Sequence, residues 1–275
     1  MRTLLLLLAG AAVAQAQTAP PVISEAMRRG REIIDQAVQA LGGERFLALE
    51  TVVERGRMFS FYRQDISGMA RATLFTKYAP APEKPDIGTL YQLERQSFGT
   101  MKKKKKEDWS VLFNGEDGWE ITYRGARPLS QEDLRNHRTS RQMDIFYVLL
   151  RRLNEEGLVF DYRQRVIIDN KPLYEVDITD AKNRVLKVYF HYSSYLPFRQ
   201  EYEDRDKFGL PHKHLTIYDK FRDAGGGVKL PWVIQRFKDG EKTFSMFAES
   251  VEANPKLDAK TFLLPSDIKL LERAE

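Results

Sequence analysis

The chain has no cysteine among its 275 residues. Disulfides therefore cannot staple it in an oxidising compartment, and it has no thiol on which to carry a lipid anchor of its own. Its stability must come from burial. Long apolar runs are nearly absent as well: the one continuous stretch, Leu4 to Val13, is too short to span a bilayer. Catalytic signatures readable from spacing are also missing. The sequence has no Gly-x-Ser-x-Gly, no His-Glu-x-x-His and no phosphate loop, and Gly225-Gly226-Gly227 leads into strand-like residues instead of a helix. Charge of one sign is lacking too, since 44 Lys and Arg are set against 39 Asp and Glu. That balance leaves no domain-wide positive field and argues against nucleic-acid binding.

What is present begins at the N-terminus. Met1-Arg2, the apolar run and the small-x-small triplet Ala14-Gln15-Ala16 have the form of a secretory signal peptide over residues 1–16. Cleavage after Ala16 leaves residues 17–275, expected to be soluble and exported to the periplasm. Hydrophobic residues make up 42% of the chain and aromatics 11%, enough for a folded core. With no Ser/Gly linker and no internal repeat, residues 17–275 are expected to form one domain.

Periodicity divides this region clearly. Ser24 can cap an amphipathic helix in which Ile33, Ile34, Ala37, Val38 and Leu41 recur at three- and four-residue steps, and Gly42-Gly43 ends it. From Thr51 the period becomes two. Strands are expected at Thr51 to Tyr62, Met69 to Tyr78, Gly88 to Phe98, Asp108 to Phe113 and Trp119 to Tyr123. A second helical region, Ser130 to Glu156, opens on a capping box and turns apolar on nearly every side between Met143 and Leu153. Strands resume from Leu158. The last of them, Val228 to Lys238 and Lys242 to Glu252, are joined by an Asp239-Gly240 turn. So many antiparallel strands must curl, and two helical insertions can cover only one face.

Four stretches carry a resemblance: IIDQAVQALGGERFLALETVV (Ile33 to Val53), LFNGEDGWEI (Leu112 to Ile121), GVKLP (Gly227 to Pro231) and VEANPKLDAKTFLLP (Val251 to Pro265). Together they resemble the outer-membrane lipoprotein-sorting, LolA-like superfamily of exported lipoprotein carriers. The resemblance implies a mainly β (α+β) fold, a strongly curved antiparallel half-barrel of about eleven strands. It also implies a helical lid over a hydrophobic cavity that shelters acyl chains of lipoproteins or other lipids. No individual ligand-handling residue carries over from the family.

The residues suggest their own cavity candidates: Trp119, Phe146, Leu149, Leu150, Phe190, Trp232, Phe244 and Met246, with core filling as the plain alternative for each. The run Lys102, Lys103, Lys104, Lys105 and Lys106 reads as a solvated loop or as a contact with an anionic membrane surface. His212 and His214 fall on one side of a strand, where His191 could complete a metal site, but a surface pair is more often incidental and no metal or other cofactor is expected. Glu201, Glu203, Asp204 and Asp206 read as a solvated strand end. No chemical step is expected. The alternatives are a sensor or regulatory module on the same scaffold that binds a membrane-anchored partner, and a hydrolase with an unrecognised site.

Overall fold

The computed structural model describes residues 24–80, 82–101 and 108–273. The expected signal peptide and the run Lys102 to Lys106 lie outside the described residues. Helix α1, Glu25–Leu41, and a single turn, α2, Glu44–Leu47, come first. Six strands follow: β1 Thr51–Tyr62, β2 Asp65–Tyr78, β3 Gln92–Gly99, β4 Trp109–Asn114, β5 Asp117–Thr122 and β6 Gly125–Pro128. Helix α3, Gln131–Gln142, and the short α4, Ile145–Tyr147, run into a π-helical turn, Val148–Arg152. Five more strands follow, β7 Val159–Ile168, β8 Lys171–Thr179, β9 Val185–His191, β10 Pro197–Arg205 and β11 Pro211–Asp219. The two-residue strands β12 Arg222–Asp223 and β13 Lys229–Leu230 pair with each other, and β14 Val233–Lys238 and β15 Glu241–Ala253 complete the set.

Thirteen strands form one sheet in the order β6-β5-β4-β3-β2-β1-β15-β14-β11-β10-β9-β8-β7, every neighbouring pair antiparallel. The fold is mainly β, and the sheet stays open as a half-barrel. Two meanders meet at its centre, where β1 pairs with β15. Bulges help bend it: register shifts fall at Arg55/Gly56 and Ser60/Phe61 in β1, Tyr162/Gln164 in β7, Pro197/Arg199 in β10 and Arg236/Phe237 in β14. Residues consecutive in sequence but not in space are decisive. Strands β6 and β7 occupy opposite edges, so residues 129–158 must cross the whole concave face.

That crossing explains the apolar helical region. Ile145, Phe146, Tyr147, Val148, Leu149 and Leu150 are all buried, because the segment has sheet beneath it and α1 and α2 beside it. The single helix expected over Ser130 to Glu156 is in fact broken at Asp144, whose backbone is extended and whose carboxylate accepts from the Phe146 N–H at 2.9 Å. A capping side chain in mid-pattern competed with helix continuation and won. At the far end, buried Arg152 donates to both Glu155 carboxylate oxygens at 2.6 Å and to Asp180 at 3.1 Å. Those bonds fasten the crossing segment to the β8–β9 turn.

The expected strand Val228 to Lys238 also divides. Pro231 cannot donate to a ladder, and the chain switches there from the β12–β13 hairpin to β14 in the main sheet. The four-residue β6 escaped the sequence reading. Its outer edge is covered late in the chain, where the Ala126 N–H donates to the Lys269 carbonyl and the Leu271 N–H to that of Ala126.

Helix α1 packs against the other edge so closely that its middle needs a glycine. A Cβ on Gly30 would stand 2.2 Å from the Phe160 carbonyl oxygen in β7. Alanine is the better helix former by about 1 kcal/mol, yet overpacking of this kind typically costs about 1–3 kcal/mol. Gly30→Ala should therefore lower the melting temperature. A rise would show that α1 can lift from β7 freely.

Candidate functional site

The concave face is filled unevenly. Over β7 to β10, α1 side chains and Ile145, Val148 and Leu149 pack closely on Val176, Val188 and Phe190. Over β1, β2, β3, β14 and β15 a cavity of about 110 Å³ remains. One wall is apolar. Phe46, Leu49 and Val52 line it, with Phe146 and Leu150 from the crossing segment and Leu230, Ile234, Phe244 and Met246 from the closing strands. Spacing accounts for the pairs: Phe146 and Leu150 are one helical turn apart, and Phe244 and Met246 alternate along β15.

The rest of the lining is mostly polar. Glu54 on β1, Thr76 and Tyr78 on β2, and Gln92, Glu94 and Gln96 on β3 line the cavity together with Arg141, Asp144, Tyr218 and Arg236. Arg141, Asp144 and Arg236 also line an adjoining space of about 430 Å³ between α3 and strands β10, β11 and β14. Ligand pockets usually fall between roughly 300 and 1,000 Å³, so the inner cavity is small and the outer one is of ordinary size.

Most ions at this junction are already paired. Arg141 donates to Glu94 through Nε at 2.8 Å and through a terminal nitrogen at 2.6 Å. Burial opposes the Glu94 charge, but Arg141 and His137 outweigh it and hold the pKa down to about 2. The Asp144 carboxylate accepts from the Tyr218 hydroxyl at 3.0 Å as well as from the Phe146 N–H. His137 stacks on Phe113 with ring centres 3.5 Å apart, and burial pushes its pKa to about 4 despite the nearby Glu94. Burial pushes Glu54 the other way for a carboxyl, up to about 7, against the pull of Arg236 and Arg141.

The expected cavity residues divide. Phe146, Leu150, Phe244 and Met246 line the inner cavity, whereas Leu149 and Phe190 are fully buried in the core beside it. Trp119 sits on β5 opposite Leu112 and Pro128, away from the cavity, and Trp232 lies under the Arg222 guanidinium, 4.7 Å from it. His212 and His214 are held by carboxylates: Nδ1 of His212 lies 2.7 Å from Asp239, and Nε2 of His214 lies 2.9 Å from Asp204. His191 is elsewhere, beside Phe198 on β9. Among the described residues no group of His, Cys, Asp and Glu is arranged to hold a metal ion. Glu201 pairs with Arg199 and Glu203 with Lys213, while Asp204 and Asp206 line the outer space. The polar part of the lining has no apolar periodicity to mark it in the sequence. Its available signal was Gln92, Glu94 and Gln96 recurring in phase with Phe98, which is buried.

No family model matches the chain, and no curated protein matches it in sequence. Solved structures do. A domain assigned to outer membrane lipoprotein sorting, from Vibrio parahaemolyticus, superposes with a TM-score of 0.54 at 11% identity, covering 86% of this chain and 97% of that one. A DUF1329 family protein from Desulfovibrio piger gives 0.54 at 11% identity over 87% and 98%. A LolA superfamily protein from Nitrosomonas europaea gives 0.50 at 12% identity over 85% and 97%. The fold is LolA-like. At such identity the likeness extends to the fold and not to individual side chains. In this LolA-like fold the crossing segment helps line the cavity, together with the strands described above. No described helix is long and apolar enough to cross a membrane.

The raised pKa of Glu54 has a consequence for stability. The folded state holds a proton that the unfolded chain releases near 4.5, so Glu54's contribution is complete below 4.5 and is lost as pH climbs through about 7. Glu94 acts in the opposite sense, stabilising above 4.5 and failing toward 2. Glu54→Gln should therefore melt higher than the parent protein at pH 8, with the difference shrinking as pH approaches 5. A difference independent of pH would refute this assignment.

Proposed function

We propose that the protein is a periplasmic carrier or binding protein for lipoproteins or other lipids, made as residues 17–275 after removal of the signal peptide. The observation that supports this most directly is the LolA-like half-barrel whose crossing segment and closing strands border a cavity lined in part by Phe146, Leu150, Ile234, Phe244 and Met246. Burying each acyl methylene is worth about 0.8 kcal/mol, so even a partly inserted chain binds usefully. The inner cavity is small for a full acyl chain. Loading therefore requires residues 145–152 to move away from β14 and β15, and Phe146 and Leu150 are the side chains that would make room. Delivery toward the outer membrane is the carrier's task in this reading, with no catalytic step.

Mass spectrometry of material that co-purifies with the mature protein should reveal acylated species, and the protein should take up fluorescent fatty acids. Leu150→Trp fills the cavity and should abolish uptake. Preparations that are always empty and also fail to take up such probes would overturn the proposal.

The run Lys102 to Lys106 belongs to the same reading as a contact with anionic lipid, each lysine contributing about 1 kcal/mol near such a surface. Replacing all five by Gln should weaken binding to phosphatidylglycerol vesicles at low salt. Unchanged binding would remove the membrane contact and leave the cavity reading intact.

A further inference from the structure

The boundary between the apolar cavity and the outer polar space contains a half-buried guanidinium. Arg236 lines both spaces. Its side chain lies over the Phe244 ring, 5.1 Å from the ring centre, and no carboxylate among the described residues forms an ion pair or hydrogen bond with it. Desolvation and the nearby Arg141 push its pKa down, while Asp144, Tyr218 and Glu94 pull it back up without pairing with it directly. Glu94 is taken by Arg141, Asp144 is taken by Tyr218 and a backbone N–H, and the Glu54 carboxyl at the same cavity has its pKa raised to about 7 by burial.

A half-buried cation with no paired carboxylate, set at the mouth of a low-dielectric cavity, is placed to meet a ligand that supplies the negative charge. The ligand's other end is set by the adjoining wall, where Leu49, Phe146, Leu150, Ile234 and Met246 present hydrocarbon. We propose that the cavity takes an anionic amphiphile, with a carboxylate or phosphate head held by Arg236 at the boundary and the acyl tail in the apolar cavity. This rests on the lipid-binding reading above and narrows it to one headgroup class. A planar guanidinium meets either head with two parallel N–H donors, and the Phe244 ring beneath it limits its orientations. The outer space of about 430 Å³ accommodates the rest of a headgroup, so its bulk is less restricted than its charge.

Calorimetric titration of the full mature protein with decanoate, decyl phosphate, decanol and inorganic phosphate tests this. Decanoate and decyl phosphate should bind about ten- to hundredfold more tightly than decanol, the span expected for charge-assisted hydrogen bonds. Arg236→Gln should remove that advantage and leave decanol affinity unchanged, while Arg236→Lys should retain part of it. If decanol binds as tightly as the anions, or Arg236→Gln leaves the anions unaffected, the headgroup assignment is wrong although the lipid-binding reading survives. Inorganic phosphate binding as tightly as decyl phosphate would overturn the amphiphile in favour of a free anion. Failure of every chain-bearing probe would overturn the lipid-binding reading itself. The comparison of head classes in the unsubstituted protein holds even if a variant does not fold.

Discussion

Strands β6 and β7 follow one another in the chain and lie at opposite edges of a 13-stranded sheet. Everything on the concave face depends on this constraint. The connection cannot be a turn, so it must be a segment long enough to cross the sheet and apolar enough to be buried while doing so. Residues 129–158 supply the length and Ile145 to Leu150 within them the burial, with a π turn, rather than a regular helix, completing the crossing. Arg152, Glu155 and Asp180 then fix its far end with buried charges whose geometry satisfies one another.

The same constraint divides the concave face into two halves of different character. Helix α1 occupies the half over β7 to β10 with close contacts, down to a glycine where the helix meets strand backbone. The half over β1 to β3, β14 and β15 has no equivalent helix, and its inward residues alternate between hydrocarbon and ions. A purely apolar space would select only for hydrocarbon. Here Arg141 pairs with Glu94, while Arg236 forms no ion pair among the described residues, so the cavity has a defined polar end.

Much of the scaffold was legible from local pattern. The boundaries of β1, the capping of α1 by Ser24 and the Asp239-Gly240 turn follow from periodicity and turn chemistry, which act over a few residues. Where local signals competed, reading failed: Asp144 broke an expected helix by capping, and Pro231 divided an expected strand. Among cavity candidates, Phe146 and Leu150 were recognisable on one helical face, but Leu149, between them in sequence, looked equally suitable and is core. Hydrophobicity alone cannot separate a residue that touches a space from one that touches another side chain.

By itself the sequence determined the elements and their faces, because a period of two or of three to four residues is a local property of the backbone. It also determined that stability rests on burial, since no cysteine is present. Only the tertiary structure decided which faces meet. The pairing of β1 with β15 brings Glu54 beside the closing strands, and the crossing segment places Arg141 and Asp144 opposite Arg236. These groups come from distant parts of the chain. Their charges acquire meaning only when burial removes water from between them, and no spacing along the sequence encodes that removal.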